Sequence, residues 1–324
     1  MTTLVSPTRL SQAGFTMIEL MIAMLIGILL LGPLAVILSN NSRTRYDIEN
    51  SVRQIQSARY ALQILTDEIG NAGFYGEARI QSGGDLPSPC LVATDITEDV
   101  LSYPIQGEGN LATKPESCSS MDAFFQNSDL IVVRRASTCA VGQPGCDTLL
   151  AGLPHIQQPA CPAAAALIIG TELDAFTGIL RPCDAAVPQA APIYRLFHRV
   201  YYISQNYEPG DGIPTLKRID FKGAPIPIAA GIERMHLQYG LDMSGDGEPD
   251  LYAAAETLDA ADWREIVAVR IHILARNQQA THGYQDARTY LLGEEEVGPF
   301  YDDFRRQAYS TTVRMNNVAG PREQ

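Results

Sequence analysis

Gly14-Phe15-Thr16-Met17-Ile18-Glu19-Leu20-Met21-Ile22-Ala23 opens the stretch that decides the architecture, because from Phe15 to Leu38 only Thr16 and Glu19 are strongly polar. Wound as an α-helix, that run is roughly 36 Å long, enough to cross the hydrocarbon core of a bilayer. A secretory signal peptide keeps its apolar run to about 7–15 residues and follows it with small residues at A-x-A spacing. Ser39-Asn40-Asn41-Ser42 has no such pattern, so the run reads as a retained membrane helix. Glu19 is its informative residue, since a carboxylate inside such a segment costs about 2.5–3.5 kcal/mol on insertion scales. It either snorkels to the nearby helix end or meets a positive partner. Gly32-Pro33 lies within the same run, and proline removes a backbone bond and clashes with the preceding turn, which predicts a kink or a melted turn there.

Beyond Leu38 the helical pattern continues. Ile48, Ile55, Leu62 and Ile69 recur every seventh position, with Val52, Ala58 and Leu65 on the same broad stripe and Arg43, Arg53, Arg59, Asp67 and Glu68 largely on other faces. The spacing predicts an amphipathic helix over 39–70 that packs on the protein's own sheet. Gly70-Asn71-Ala72-Gly73 supplies residues that tolerate positive φ and should end it.

Residues 76–190 read as irregular, interrupted by prolines from Pro87 to Pro188, with one short strand expected at Asp129–Arg135 around Leu130-Ile131-Val132-Val133. All six cysteines fall here: Cys90, Cys118, Cys139, Cys146, Cys161 and Cys183. They lack C-x-x-C spacing and accompanying histidines, so disulfides in an oxidising compartment are preferred to a metal site. Nearest-neighbour pairing gives Cys90–Cys118, Cys139–Cys146 and Cys161–Cys183 among the fifteen connectivities open to six cysteines. The Cys139–Cys146 loop, which holds Gly142, Pro144 and Gly145, is the firmest of the three.

After residue 190 the pattern turns to β-rich runs: Ile193–Ser204, Thr215–Phe221, Ile232–Leu241, Glu265–Ala275 and Ala308–Met315. In the fourth, Val267, Val269, Ile271 and Ile273 share one face, and Ala268, Arg270, His272 and Leu274 the other, as in an antiparallel sheet covered on one side by a helix. The fold class is therefore α+β: a long N-terminal helix, half membrane-spanning and half amphipathic, packed on an antiparallel sheet with an irregular disulfide-bearing insertion.

Composition narrows the function. The formal charge of -13 over 324 residues disfavours nucleic acid as a partner. His155, His198, His236, His272 and His282 are scattered without metal-ligand spacing or a nucleophile partner, and there is no phosphate loop, G-x-S-x-G or H-E-x-x-H, so the chain does not read as an enzyme. His198 and His272 are expected on sheet faces, and Trp263 as an anchor at the core edge. One constellation invites an ion. Asp242-Met243-Ser244-Gly245-Asp246-Gly247-Glu248-Pro249-Asp250 places Asp242, Ser244, Asp246 and Asp250 at positions 1, 3, 5 and 9 of an EF-hand-like calcium loop, with Gly247 at the turn and Glu248 beside it. Position 12, normally a bidentate Glu, is Ala253, and an acidic turn between two strands needs no Ca2+.

The run Gly14-Phe15-Thr16-Met17-Ile18-Glu19-Leu20 closely resembles the processing signal of type IV prepilins and pseudopilins: a Gly, a methylatable Phe, and a Glu four residues on. The resemblance implies cleavage between Gly14 and Phe15 by prepilin peptidase on the cytoplasmic side, N-methylation of Phe15, and a role for Glu19 in docking on the neighbouring subunit's amine during filament assembly. It implies a leader 1–14, a transmembrane and filament-core helix 15–38, a periplasmic amphipathic helix 39–70 and a head 71–324, divided into 76–190 and 191–324. The leader departs from the usual basic form in having only Arg9, while Arg43 and Arg45 lie beyond the helix, so orientation rests on the signal and not on charge bias.

Two further stretches are similar to PilW-type minor pilins: Ala58-Arg59-Tyr60-Ala61-Leu62 through Asp67-Glu68-Ile69-Gly70-Asn71-Ala72-Gly73-Phe74-Tyr75-Gly76, and Phe304-Arg305-Arg306-Gln307-Ala308-Tyr309-Ser310-Thr311-Thr312-Val313-Arg314-Met315-Asn316-Asn317. That likeness implies a minor pilin of a type IV pilus, inserted in the inner membrane with its head in the periplasm and then moved into the pilus. It would prime assembly at the filament tip beside other minor pilins, the major pilin and a tip adhesin. A GspJ-like pseudopilin of type II secretion and a membrane-anchored periplasmic enzyme are the alternatives, and a calcium-dependent adhesin or sensor on a pilin stem is compatible with the first reading. The irregular cysteine-rich region 76–190 is the expected place for partner contacts.

Overall fold

The computed structural model describes residues 14–81, 83–161, 166–180 and 189–323, without the side chains of 35 and 39. The chain divides into two compact units, Met1–Asn50 and Ser51–Gln324. One helix, α1 (Met17–Gly70), runs through both. The helix is continuous through Pro33, so the melted turn expected there does not occur. Proline removes one i→i−4 bond, and the bonds of the turns on either side keep the segment helical.

In the second unit α1 buries Gln54, Ala58, Ala61, Leu65, Glu68 and Ile69. The expected stripe is rotated, since Ile48 and Val52 are exposed and Ile55 and Leu62 only half-buried. Alanines at 58 and 61 let the helix axis approach the sheets closely, and polar groups fix its seat. Gln54 Nε2 donates to the carbonyls of Ala275 (2.6 Å) and Arg305 (3.1 Å), and Ser57 Oγ to that of Ala230. Glu68, expected on an outer face, accepts from Arg135 at 2.7 Å and Arg199 at 2.5 Å. The helix stops as foreseen, with Gly73 at φ 75° and its N–H on the Arg134 carbonyl.

Among the described residues fifteen strands follow. Through the middle of the chain run β1 (Ile105–Leu111), β2 (Ser128–Ala136), β3 (His155–Gln157), β4 (Ile168–Gly170), β5 (Ile179–Leu180) and β6 (Gln189–Ala190). Then come β7 (Ile193–Ser204), β8 (Thr215–Asp220), β9 (Ile226–Ala230), β10 (Ile232–Leu241) and β11 (Leu251–Ala254). The last four are β12 (Ile266–Arg276), β13 (Tyr290–Leu292), β14 (Glu295–Val297) and β15 (Arg306–Arg314). The five β-rich runs of the last third are β7, β8, β10, β12 and β15, but they belong to two sheets, not one.

A seven-stranded sheet has the order β1-β2-β7-β3-β4, with β8 on β7 and β9 on β8, and a four-stranded sheet has the order β11-β10-β12-β15. The middle of the chain is thus less irregular than its prolines suggest: β1 to β4 share a sheet with β7, β8 and β9. Strand β1, Ile-Gln-Gly-Glu-Gly-Asn-Leu, was not foreseen because two glycines erase its alternation, and pairing with β2 defines it. The two sheets are stitched where β2 begins. Ser128 Oγ accepts the Met235 N–H at 3.1 Å, and Asp129 Oδ2 accepts the Leu237 N–H at 2.7 Å, so side chains of β2 satisfy the free edge of β10.

One core joins Ala58, Ala61, Leu65 and Ile69 of α1 to Ile131 and Val133 of β2, Tyr201 and Ile203 of β7, and Val269, Ile271 and Ile273 of β12. Each large apolar side chain fully buried there contributes about 1.5–3 kcal/mol. Trp263 is 2% exposed and packs edge-on against Tyr239 at 4.6 Å, well inside the core and not at its rim. On the opposite face of the four-stranded sheet, Leu274 is covered by Tyr290, Leu292 and Val297 of the β13–β14 hairpin.

Candidate functional site

Phe15 and the large apolar side chains described as far as Leu38 are solvent-exposed; Phe15 itself is 87% exposed. An apolar surface of this extent marks a membrane or assembly contact, and α1 is long and apolar enough to cross a bilayer. At its start Thr16 and Glu19 form a reciprocal cap. The Thr16 N–H and hydroxyl both donate to Glu19 Oε2 at 2.9 Å, and the Glu19 N–H reaches Thr16 Oγ1 at 3.4 Å. This is a capping box, which satisfies two of the orphan N–H groups at a helix start. The sequence reading passed it over, although Thr-x-x-Glu before an apolar run is its signature. Gly14 and Phe15 precede the first helical turn and are exposed, so the junction between them lies in non-helical backbone.

Cys90 is disulfide-bonded to Cys118, and Cys139 to Cys146. The first bond is buried against Met121, Phe124, Val132 and Tyr202, and closing that loop stabilises the fold by about 3–4 kcal/mol in the chain-entropy picture. The second closes a partly exposed loop, worth about 2–3 kcal/mol by the same reasoning. Cys161 is also oxidised; Cys183, its expected partner, lies outside the described residues.

The acidic loop after β10 is organised by its own backbone. Asp242 accepts the N–H groups of Gly245 (2.6 Å), Asp246 (3.2 Å) and Gly247 (2.9 Å), while Asp250 accepts those of Met243 and Ser244. Arg322 adds a guanidinium 3.2 Å from Asp242. Burial would raise the Asp242 pKa, but these N–H donors and Arg322 hold it below the usual carboxylate range. Ser244 donates to Asp242, and Asp246 caps the Glu248 N–H. The positive end of the local field therefore comes from the protein, and among the described residues no three His, Cys, Asp or Glu side chains converge as a metal site. The set Asp242, Ser244, Asp246, Glu248 and Asp250 does not fit a calcium cage in this arrangement. A calcium titration of the full-length protein by calorimetry is expected to give no saturable heat; heat that disappears on Asp246→Ala would reinstate the ion.

The histidines have structural surroundings. His198 is buried between Arg134, whose Nε donates to its Nδ1 at 3.2 Å, and the Pro89 carbonyl, 3.0 Å from its Nε2. Nδ1 is therefore the acceptor and the ring is neutral; burial and then Arg134 hold its pKa well below the ordinary value. Arg134 is fully buried with no carboxylate partner among the described residues, donating to the Tyr103 carbonyl and Gln106 Oε1, and burial pulls its pKa down to about 10. His236 lies 3.2 Å from Asp129 and 3.5 Å from Glu295 and stacks on His272. The close Asp129 carboxylate, opposed by burial and aided by the charge of Glu295, raises its pKa. A raised histidine pKa adds stability that is fully present below about pH 6.5 and is lost as pH rises through the folded-state value. The stability gap between the parent and His236→Asn is accordingly expected to be widest near pH 5.5 and to close towards about pH 9, as measured by urea unfolding.

The largest buried charge cluster surrounds Arg306, at the start of β15. Its Nε donates to Glu233 at 2.5 Å, its Nη1 to Asp286 at 3.1 Å, and Nη1 and Nη2 each to Asp302 at 2.6 Å, with the Phe300 ring 3.7 Å away. Arg306 is 3% exposed and Asp286 fully buried. Burial opposes the Arg306 charge, but Asp302 and Glu233 outweigh it and raise the pKa; the bond from Arg306 in turn lowers that of Asp302. The cluster ties β15 to β10 and to the loop at 286. Sequence reading marked Arg306 only as part of a familiar stretch, because its four partners are dispersed from 233 to 302.

Residues 9–35 match the prokaryotic N-terminal methylation motif, and residues 200–317 match the family of Type IV Pilus-assembly protein W. The first match falls on the exposed apolar helix and its Glu19, the second on β8 to β15 and the end of β7. Together they make the chain similar to type IV pilins over its N-terminal helix and its last third. The likeness is to the PilW kind and indicates a minor pilin of a type IV pilus, with the mixed helix-and-sheet architecture described above. No curated relative matches. Among solved structures, the type IV-like pilin TTHA1219 from Thermus thermophilus aligns over 82% of this chain and 97% of its own at 13% identity, with a TM-score of 0.36.

Proposed function

We propose that the chain is made as a membrane-inserted precursor with its head in the periplasm, cut between Gly14 and Phe15 by prepilin peptidase, and N-methylated on Phe15 before it enters a pilus. The carrying observation is the methylation-motif match over residues 9–35, which frames an exposed, non-helical Gly14–Phe15 junction followed by an apolar helix. On this reading 1–14 is the leader, 15–38 the filament-core helix, 39–70 the helix that carries the head, and 71–324 the head itself. Glu19 exchanges its cap on Thr16 for the Phe15 amine of a neighbouring subunit, which neutralises both charges away from water and sets the axial register. The role is that of a filament subunit and not a catalyst: it primes assembly with the other minor pilins and remains near the tip, beside a tip adhesin.

Co-expression with and without prepilin peptidase tests the processing step. Intact-mass spectrometry should show loss of residues 1–14 and gain of one methyl group only when the peptidase is present. An unchanged mass would sink the assignment of the junction.

A further inference from the structure

A cavity of about 880 Å³ opens beside the turn that ends α1, bounded by Tyr75 and Arg79 on one side, Trp263 and Arg264 on another, and Val318 and Arg322 near the C-terminus. Its volume falls in the range of ligand pockets, about 300–1,000 Å³. Its lining is positive in a chain whose formal charge is -13: three arginines face one carboxylate, Glu265. Arg322 is neutralised by Glu265 at 2.6 Å and Asp242 at 3.2 Å. The other two are not. Among the described residues no carboxylate pairs with Arg264. All of its side-chain hydrogen bonds leave from Nη2, to the Gly83 and Gly84 carbonyls and the Tyr103 hydroxyl, and its buried Nε has no acceptor. Arg79 is exposed at the rim and likewise has no carboxylate partner among the described residues.

We propose that this cavity receives an acidic peptide segment of a partner protein, one carboxylate taking the open edge of the Arg264 guanidinium and a second meeting Arg79. Charge selects the occupant: guanidinium binds carboxylate through paired, charge-assisted hydrogen bonds, and the net negative charge of the chain disfavours such a segment on the surface at large. Half-buried Ala78, Ile80 and Val318 give the wall an apolar side that a peptide covers and a small dicarboxylate does not. The proposal does not depend on processing at Gly14.

Trp263 is the only tryptophan in the chain and lines the cavity, so its fluorescence reports occupancy. Full-length protein in detergent micelles is titrated with acetyl-tetraglutamate amide, its tetraglutamine counterpart, and glutarate. The expected result is a saturable change with the glutamate peptide, at least about tenfold weaker binding of the other two, and about tenfold weaker glutamate-peptide binding in Arg264→Gln. Arg264→Gln also releases the Gly83–Gly84 loop, so Arg79→Gln, on an exposed side chain, provides the independent arm and should weaken binding about threefold or more. No saturable response, equal binding of the glutamine peptide or of glutarate, or unchanged affinity in Arg79→Gln would each overturn the proposal.

Discussion

Full-length protein carrying Arg306→Ala unfolds with about 3–5 kcal/mol less stability than the parent, because truncation leaves Glu233, Asp286 and Asp302 facing one another without their shared cation. That is a large share of the roughly 5–15 kcal/mol available to a folded domain. Urea unfolding followed through Trp263 fluorescence measures it, and a loss below about 1 kcal/mol would show that the cluster is not stabilising. The pH dependence has a definite sign. The pKa values of Asp286 and Asp302 are lowered in the folded state, for Asp302 chiefly by its bond from Arg306 and for Asp286 by Arg306 and Tyr290 against the opposing effect of burial. Their contribution is present above the unfolded carboxylate value, near pH 4, and is lost as pH falls through the lowered ones. The gap between parent and variant should therefore narrow in acid.

Glu19→Ala is expected to leave folding of the head and cleavage at Gly14 intact but to reduce recovery in sheared filaments on the order of a hundredfold, the cost of leaving a neighbouring amine unpaired away from water. Immunoblots comparing the sheared pilus fraction with the membrane fraction give the ratio. Thr16→Ala separates the two roles of the carboxylate. It removes the hydroxyl side of the capping box, worth about 1 kcal/mol, while sparing Glu19. Equal loss in both variants would mean that the cap, and not the intersubunit charge pair, is what assembly requires.

The parts of this protein legible in its sequence are those whose signal is local. A run with only Thr16 and Glu19 strongly polar reads as a long apolar helix, and the turn after Gly70 ends α1 because the positive φ at Gly73 is a property of a single residue. The β-rich runs were placed within a residue or two because alternation is read along one strand. What failed depended on neighbours distant in sequence. Glu68 looked like an outer-face carboxylate until β2 and β7 brought Arg135 and Arg199 to it. Strand β1 has no alternation of its own and exists through β2.

The acidic loop is the clearest case. Spacing alone made Asp242 and Asp250 candidate ligands, and only the fold delivers Arg322, eighty residues on, to occupy the place of a cation. The sequence by itself determined the long apolar helix, the stretch that matches the methylation motif and the β-rich character of the last third, because each is a matter of residue type at short spacing. The tertiary structure alone decided which face of α1 is buried, how two sheets divide the strands, and where Arg306, Arg264 and Arg322 find or lack carboxylates. Burial and charge pairing are properties of the folded chain's three-dimensional neighbourhood, which linear order does not encode locally.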